Sequence, residues 1–335
     1  MRVLLGGVLA LGLLWCGYWV VGSMALQKGV DAWFADQAAR GKIATSSAVE
    51  VHGFPNRFDL TVKDLHLADP VTGVAWDVPF AQVFSMTWKP WHVIAALPNA
   101  QTITTPREKI TVESSSMMGS VVVVPGTALT LDRIILDGAD LVIASSLGWQ
   151  LKATRAELAT RQDASVANGH EVNLTVTGLV PDAGLIAALG PTSDLPDLVD
   201  VARLDLVAGF SMPLDRFAAK TKPLLTALTV KDGQIGWGDL VLTTKGTVVA
   251  GADGLAEGQI DIHIENWRKM VPVAVAMGLI KPDVAPTVEN MMALLAGQSG
   301  NGTNLDLPLV MQAGRMSLGA IPLGPAPRMI PTAQG

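Results

Sequence analysis

A single cysteine, Cys16, serves the whole 335-residue chain, and it sits in an apolar N-terminal run. The rest of the chain therefore has no disulfide and must be held by its core alone. Charge is scarce too. Asp, Glu, Lys and Arg make up 16% of the residues against 49% apolar, and the net charge of −6 is spread evenly. Without a Lys/Arg block, nucleic acid is not expected as a partner, and no polybasic patch beside the apolar run recruits anionic lipid. Catalytic signatures are missing as well. There is neither a Gly-x-Ser-x-Gly elbow nor a phosphate loop with Gly-Lys-Ser/Thr. Gly251, Gly254 and Gly258 lie between two strand patterns rather than ahead of a helix, so they mark a hairpin turn. None of His52, His66, His92, His170 and His263 has metal-ligand spacing with a second ligand on a helix. Lacking a nucleophile, base or metal set, the chain is expected not to be an enzyme and to carry no cofactor and no metal.

What the chain does have is a long apolar start. Val3–Leu26 contains no charge, with Arg2 before it and Lys28 after it. As a helix rising about 1.5 Å per residue it is about 36 Å long, enough to cross a hydrocarbon core of roughly 30 Å. The positive charge of the amino terminus and Arg2 favours a cytoplasmic start. The expectation is a single-pass inner-membrane protein, residues 1–28 being its anchor, with the bulk of the chain in the periplasm. Ser23-Met24-Ala25 resembles a cleavage site, so a removed signal peptide is the alternative, although the run exceeds the usual core of about 7–15 residues. Trp15 ahead of Cys16 excludes a lipoprotein. The helix should continue through Gln27–Gly41, with Val30, Trp33, Phe34 and Ala38 on one face and Gly41 as its stop.

Beyond it the period changes to two. Phe58, Leu60 and Val62 alternate with Asp59, Thr61 and Lys63, and a parity change at Leu65 predicts a β-bulge near Asp64. Phe80, Gln82, Phe84, Met86 and Trp88 share a face. Val172, Leu174 and Val176 alternate with polar residues, as do Leu204, Leu206 and Phe210. Leu240, Leu242 and Val248 share a face, and Ile260, Ile262 and Ile264 alternate with Gln259, Asp261, His263 and Glu265. Turn signals stand at Asp69-Pro70 with Thr72-Gly73, Pro125-Gly126, Asp137-Gly138, Asp232-Gly233 and 251–254. Helices are expected at Asp182–Leu189, at Asn266–Leu279 with Asn266 as N-cap, and at Pro286–Gln298. The Pro- and Gly-rich tail after Gly314 reads as irregular. The fold class is therefore mainly β with a few helices: a long antiparallel, meandering sheet preceded by the N-terminal transmembrane helix. Residues 29–328 form the β-rich domain, with a soft subdivision near 165–170, and 329–335 a tail.

Candidate functional positions are faces rather than catalysts. A sheet that shows Ile and Leu on a single side must bury that side against protein or acyl chains. Ile260, Ile262, Ile264, Leu240 and Leu242 are the candidate lipid-facing residues. Pro55, Arg57, Asp59, Trp88 and Trp91 are candidates for a partner contact or a structural motif. Trp outnumbers Tyr nine to one, and Trp suits a headgroup-level position. Trp76, Trp88 and Trp91 cluster in sequence, and residues 91–98 could dip toward lipid. His263 between Asp261 and Glu265 reads as a solvated strand face.

Several segments carry a resemblance. Gly53-Phe54-Pro55-Asn56-Arg57-Phe58-Asp59-Leu60, Leu67-Ala68-Asp69-Pro70, Gly73-Val74-Ala75-Trp76 and Trp88-Lys89-Pro90-Trp91-His92-Val93-Ile94-Ala95 together resemble the bacterial, mainly alphaproteobacterial, domain of unknown function 2125. Trp88-Lys89-Pro90-Trp91 departs from the Tyr-Arg-Pro-Asn expected there. Gly233-Gln234-Ile235-Gly236-Trp237, Gly246, Gly258-Gln259-Ile260, residues 305–309 and residues 319–324 look like the closing region of AsmA-like envelope proteins. The resemblance implies a membrane-anchored envelope protein of unestablished activity, related to proteins whose long, curved sheet carries lipid on an apolar concave face. The partners it implies are the inner membrane, phospholipid and envelope proteins. A periplasmic scaffold, with its function in edge strands or the Met-rich helix pair, is the competing expectation.

Overall fold

The computed structural model describes residues 1–190, 194–218, 220–298, 302–319 and 321–331. The chain forms two compact units. The first comprises Met1–Pro125 and Leu136–Gly148, the second Gly126–Ile135 and Trp149–Gly335.

In the first unit, helix α1 (Arg2–Ala39) runs unbroken through the apolar segment and its polar continuation. The chain leaves it at Gly41, whose φ of 75° suits glycine and ends the helix as expected. The strands are β1 (Ile43–Thr45), β2 (Ala48–His52), β3 (Arg57–Asp69), β4 (Val74–Met86), β5 (Lys89–Leu97), β6 (Ala100–Thr104), β7 (Lys109–Glu113), β8 (Ser116–Val123) and, from residue 136 on, β9 (Leu131–Ser145). The long β3–β4 hairpin turns at residues 70–73. Strands β1 and β2 share one edge of β3, while β4 pairs with β5 near Phe84 and with β6 near Trp76. Strand β5 continues to β8, and β6 through β7 to β9.

Alternation decides what is buried here. Leu60 and Val62 face α1, as do Val83 and Ala81 across the ladder. At Asp64 the backbone takes φ 47° and one rung of the pairing with β4 is missing, but the register is the same on either side, so the expected β-bulge is instead a local kink that returns Leu65 and Val78 to the same core. Leu26, Val30 and Phe34 of α1 cover this cluster, four residues apart on one stripe of the helix. Trp33, expected on that stripe, is exposed beside it, and Ala38, four residues beyond Phe34, is exposed past the last helix residue that packs on the cluster. Phe80, Gln82, Phe84 and Met86 do share a face. It is the side opposite α1, where they stand across from Lys63, Thr61, Asp59 and Arg57.

The second unit is a meander: β10 (Gln150–Asp163), β11 (Gly169–Leu179), β12 (Val199–Phe210), β13 (Leu225–Trp237), β14 (Leu240–Ala250), β15 (Ala256–Glu265), β16 (Leu305–Gln312), β17 (Arg315–Leu318) and β18 (Ile321–Pro325). Each pairs antiparallel with the next. Helix α2 (Ala183–Leu189) is inserted between β11 and β12, and α3 (Met270–Ala276) and α4 (Ala285–Gln298) between β15 and β16. The fold is mainly antiparallel β with a few helices. Residues 164–168 are the turn between β10 and β11.

Several local expectations need correction. Asp137-Gly138 lies inside β9, and Asp232-Gly233 inside β13, where a register shift after Val230 absorbs the irregularity without reversing the chain. Asn266 stands at the N-cap position, as expected, but its side chain makes no capping bond. It takes φ 54°, and its side-chain amide donates to the Asp239 carbonyl, so the chain turns there before a single 3₁₀ turn, Trp267–Lys269. The stretch after Gly314 forms β17 and β18, and Pro322 and Pro325 are accommodated because β18 is paired on one side. Ala320, within the Gly-rich closing motif, and tail residues 332–335 lie outside the described residues.

Candidate functional site

Two places could act on something other than the chain itself. The first is the apolar side of the second unit's sheet. Cross-strand pairing places Leu158, Leu174, Leu204, Gly233, Thr244, Ile262 and Leu307 in one row. Beside it runs a second row, Thr160, Val172, Leu206, Val230, Gly246, Ile260 and Leu309. Gly246 must be glycine. Its φ is 151°, and a Cβ there would lie 2.2 Å from the Gln259 carbonyl oxygen of the neighbouring strand.

The candidate lipid-facing residues all fall on this side, but the chain covers much of it. Ile264 is 1% exposed and Leu240 is buried with it, under Trp267, Val271 of α3 and Met292 and Ala296 of α4. Leu242 and Ile262 are half-buried against the same cluster. Ile260 packs with Val248, Ala256, Met311, Ala326 and Met329, the last two from the C-terminal segment. A pattern of alternation cannot foretell such covers, because α3 and α4 fold back from an insertion between strands. The uncovered part lies instead toward β10–β13. There Leu158, Val172, Leu204 and Leu206 are half-buried, Leu174 is 37% exposed and Ile235 46% exposed. Leu174 and Leu204 already showed their alternation in sequence; Leu158 was hidden among Arg155, Glu157 and Arg161.

The opposite side is polar and self-paired. His263 Nδ1 is 2.7 Å from Asp306 on β16, which accounts for its place beside Asp261 and Glu265. Glu171 accepts from Arg161 at 2.6 Å and Lys231 at 2.8 Å. The Lys231 and Arg161 bonds hold the Glu171 carboxyl below its ordinary range, and Glu171 in turn raises Lys231. Lys269 lowers Asp239 in the same way. Burial pushes the His170 imidazole down, against the pull of Asp132. Among the described residues, no group of three His, Cys, Asp or Glu side chains is placed to hold a metal ion. These pairings neutralise strand faces and bring no nucleophile to a base.

The second place is the end of the first unit where α1 meets the sheet. Tyr18, the single tyrosine of the chain, donates from its hydroxyl to the Thr87 carbonyl at 2.9 Å. Trp19 Nε1 donates to the Arg57 carbonyl at 2.6 Å, and its ring meets Phe54 edge-on and stacks on Phe58. Gly22 brings the helix close, since a Cβ there would lie 2.5 Å from the Phe58 ring. Thr87 in turn bonds the Asn56 carbonyl through both its backbone N–H and its hydroxyl. Two turns, 53–56 and 87–88, are thereby fastened to each other and to α1.

Of the proposed partner motif, Pro55 lies in the first turn after a cis peptide bond. Arg57 and Asp59 bond to each other at 2.7 Å on the side away from α1. Trp88 is 55% exposed at the tip of the second turn, and Trp91 is half-buried in β5. The clustering of tryptophans in sequence does not survive folding. Trp76 bonds Gln101 near the other end of the β4 strand, some 40 Å from Trp88 at about 3.3 Å per residue. Residues 91–97 lie within strand β5, where 93–96 are paired on both sides.

A family model described as an uncharacterised protein conserved in bacteria (DUF2125) matches residues 19–327. The chain belongs to this family. No curated protein and no solved structure matches the chain. The DUF2125 span begins at Trp19, one residue after the first α1 side chain bonded to the sheet, takes in both fastened turns, and closes within the C-terminal segment that covers Ala256.

Proposed function

We propose that this DUF2125 protein is a single-pass envelope protein, anchored by α1 with its two units outside the membrane, that shelters lipid acyl chains on the apolar sheet side of the second unit without catalysing a reaction. The observation that carries the proposal is the uncovered part of that side. Leu158, Leu174 and Leu204 stand in register on adjacent strands, flanked by Val172 and Leu206. Each methylene shielded there contributes about 0.8 kcal/mol, so even a partly seated chain would be held. The apolar helix, scarce charge and polar opposite side agree with it, as does the AsmA-like pattern noted in the sequence. Retention of α1 is supported by its packing, because cleavage after Ala25 would remove Tyr18, Trp19 and Gly22 from the sheet.

The test uses the full chain in vesicles containing a phospholipid with a photoreactive acyl chain. Cross-links should map to residues 156–176 and 202–206 and should fall in Leu174→Glu. Cross-links confined to α1 would end the proposal. A second reading, a scaffold for another envelope protein, has its own observation: Met277, Leu279 and Leu294 of the α3–α4 region are all exposed. A stoichiometric protein partner lost in Leu279→Ser, with no lipid cross-linked on the sheet, would favour it.

A further inference from the structure

The fastened end of the first unit has a consequence that depends on length. Residues 3–17 of α1, between Arg2 and the first residue bonded to the sheet, rise only about 23 Å at about 1.5 Å per residue. A hydrocarbon core is roughly 30 Å thick. If α1 spans it from Arg2, the apolar layer extends about five residues further, to about Gly22. Tyr18, Trp19 and the turns bonded to them then cannot stand clear of the bilayer.

The side chains on those turns suit that position. Phe54 is 56% exposed, and Trp88 and Met86 are exposed beside it. On the side of the sheet away from α1, Phe84, Met86 and Ile94 line a cavity of about 370 Å³, with Arg57, Lys89 and His92 also in its wall. Aromatic rings at the boundary with cations just outside it are the arrangement that membrane interfaces select. The other end of the same hairpin differs. Its turn is Pro70-Val71-Thr72-Gly73, closed by the Asp69 side chain accepting from the Val71 N–H, and His66 and Asp77 pair nearby.

We infer that the Phe54 and Trp88 turns are seated in the headgroup–acyl boundary of the bilayer that α1 crosses, so that the first unit grips the membrane by its sheet as well as by its helix. The inference rests on the reading of α1 as a membrane span. The occupant is the lipid surface itself, since the apolar helix leaves the unit at this end and carries the turns to it.

The test places an environment-sensitive fluorophore on a cysteine at Trp88→Cys or, separately, at Met86→Cys, in the full chain with Cys16→Ser. Val71→Cys at the far turn is the control. The chain is reconstituted into vesicles of zwitterionic and anionic phospholipid and floated on a density gradient. Labels at 88 and 86 should shift to the blue and be quenched by lipids bearing a nitroxide near the headgroup, and the label at 71 should report water. Labels at 88 and 86 in water, on a chain that floats, would overturn the seat and leave the anchor standing. A label equally protected at 71 would also overturn it. A chain that does not float would remove the anchor and the seat together.

Discussion

In the first unit one long helix lies along the sheet, whereas in the second, three short helices and a C-terminal segment divide the task and leave apolar surface on β10–β13 open. Leu60, Val62, Leu65 and Val78 have α1 as their lid, so the element proposed to hold the membrane also closes a core. In the second unit the lids come from insertions between strands, with Trp267 as their most buried ring. The difference teaches that one sheet side can serve two ends. A lid drawn from a membrane segment ties folding to anchoring, while a lid made of short insertions can stop part-way and leave apolar surface for something else.

The largest expected effect breaks the lid of the second unit. Trp267 is 0% exposed and touches both α4 and the sheet. Trp267→Ala should cost about 3–5 kcal/mol in chemical denaturation. A loss under about 1 kcal/mol would mean that α3 and α4 are not a true cover. Next comes the lid of the first unit. Gly22→Leu forces a side chain into the Phe58 ring and should cost about 1–3 kcal/mol. Gly12→Leu, with nothing within 4 Å of its Cβ, should leave the melting temperature unchanged. Equal behaviour of the two variants would show that the helix does not dock. Asp182 caps α2 by accepting from the Gly184 and Leu185 N–H groups and also binds the Gln150 N–H. Asp182→Ala should lower the melting temperature by less than either lid variant.

The smallest effect is a pH dependence confined to the second unit. His170 is buried and its pKa is lowered, chiefly by desolvation. Above the unfolded value of about 6.5, both states are neutral and His170 makes no difference. As the pH falls below that value the unfolded chain takes the proton first, so stability declines until the lower folded pKa is reached. His170→Gln should flatten that slope just below about pH 6.5, measured by denaturation at each pH. An unchanged slope would place the dependence elsewhere. Glu171, Asp182 and Asp239, whose pKa values are lowered, lose their contribution only at lower pH, below the ordinary carboxylate range.

Much of this architecture was legible because it depends on local period. The 3.6-residue stripe and Gly41 marked α1 and its end, and period-two runs marked most strands. The parity change after Lys63 found the irregularity at Asp64. Asp137-Gly138 and Asp232-Gly233 misled because turn chemistry also suits a bulge within a continuing strand, and only pairing on both sides separates the two. Burial was harder to read. Ile264 and Leu174 show the same alternation, yet one lies under Trp267 and the other faces out, since that difference is set by where an insertion folds back. Trp76 and Trp88 are twelve positions apart in sequence, and the straightness of a strand puts them at opposite ends of it.

The continuity of α1 carries one more consequence. It has no break from Arg2 to Ala39 and is bonded to the sheet at Tyr18 and Trp19. In a chain anchored this way nothing acts as a swivel between bilayer and first unit. Turning the helix about its own axis turns the β3–β4 hairpin with it, and tilting it tips the hairpin by the same angle. The first unit would then meet its surroundings with a fixed heading, as a vane on a stiff shaft does, rather than sampling directions like a domain on a flexible leash.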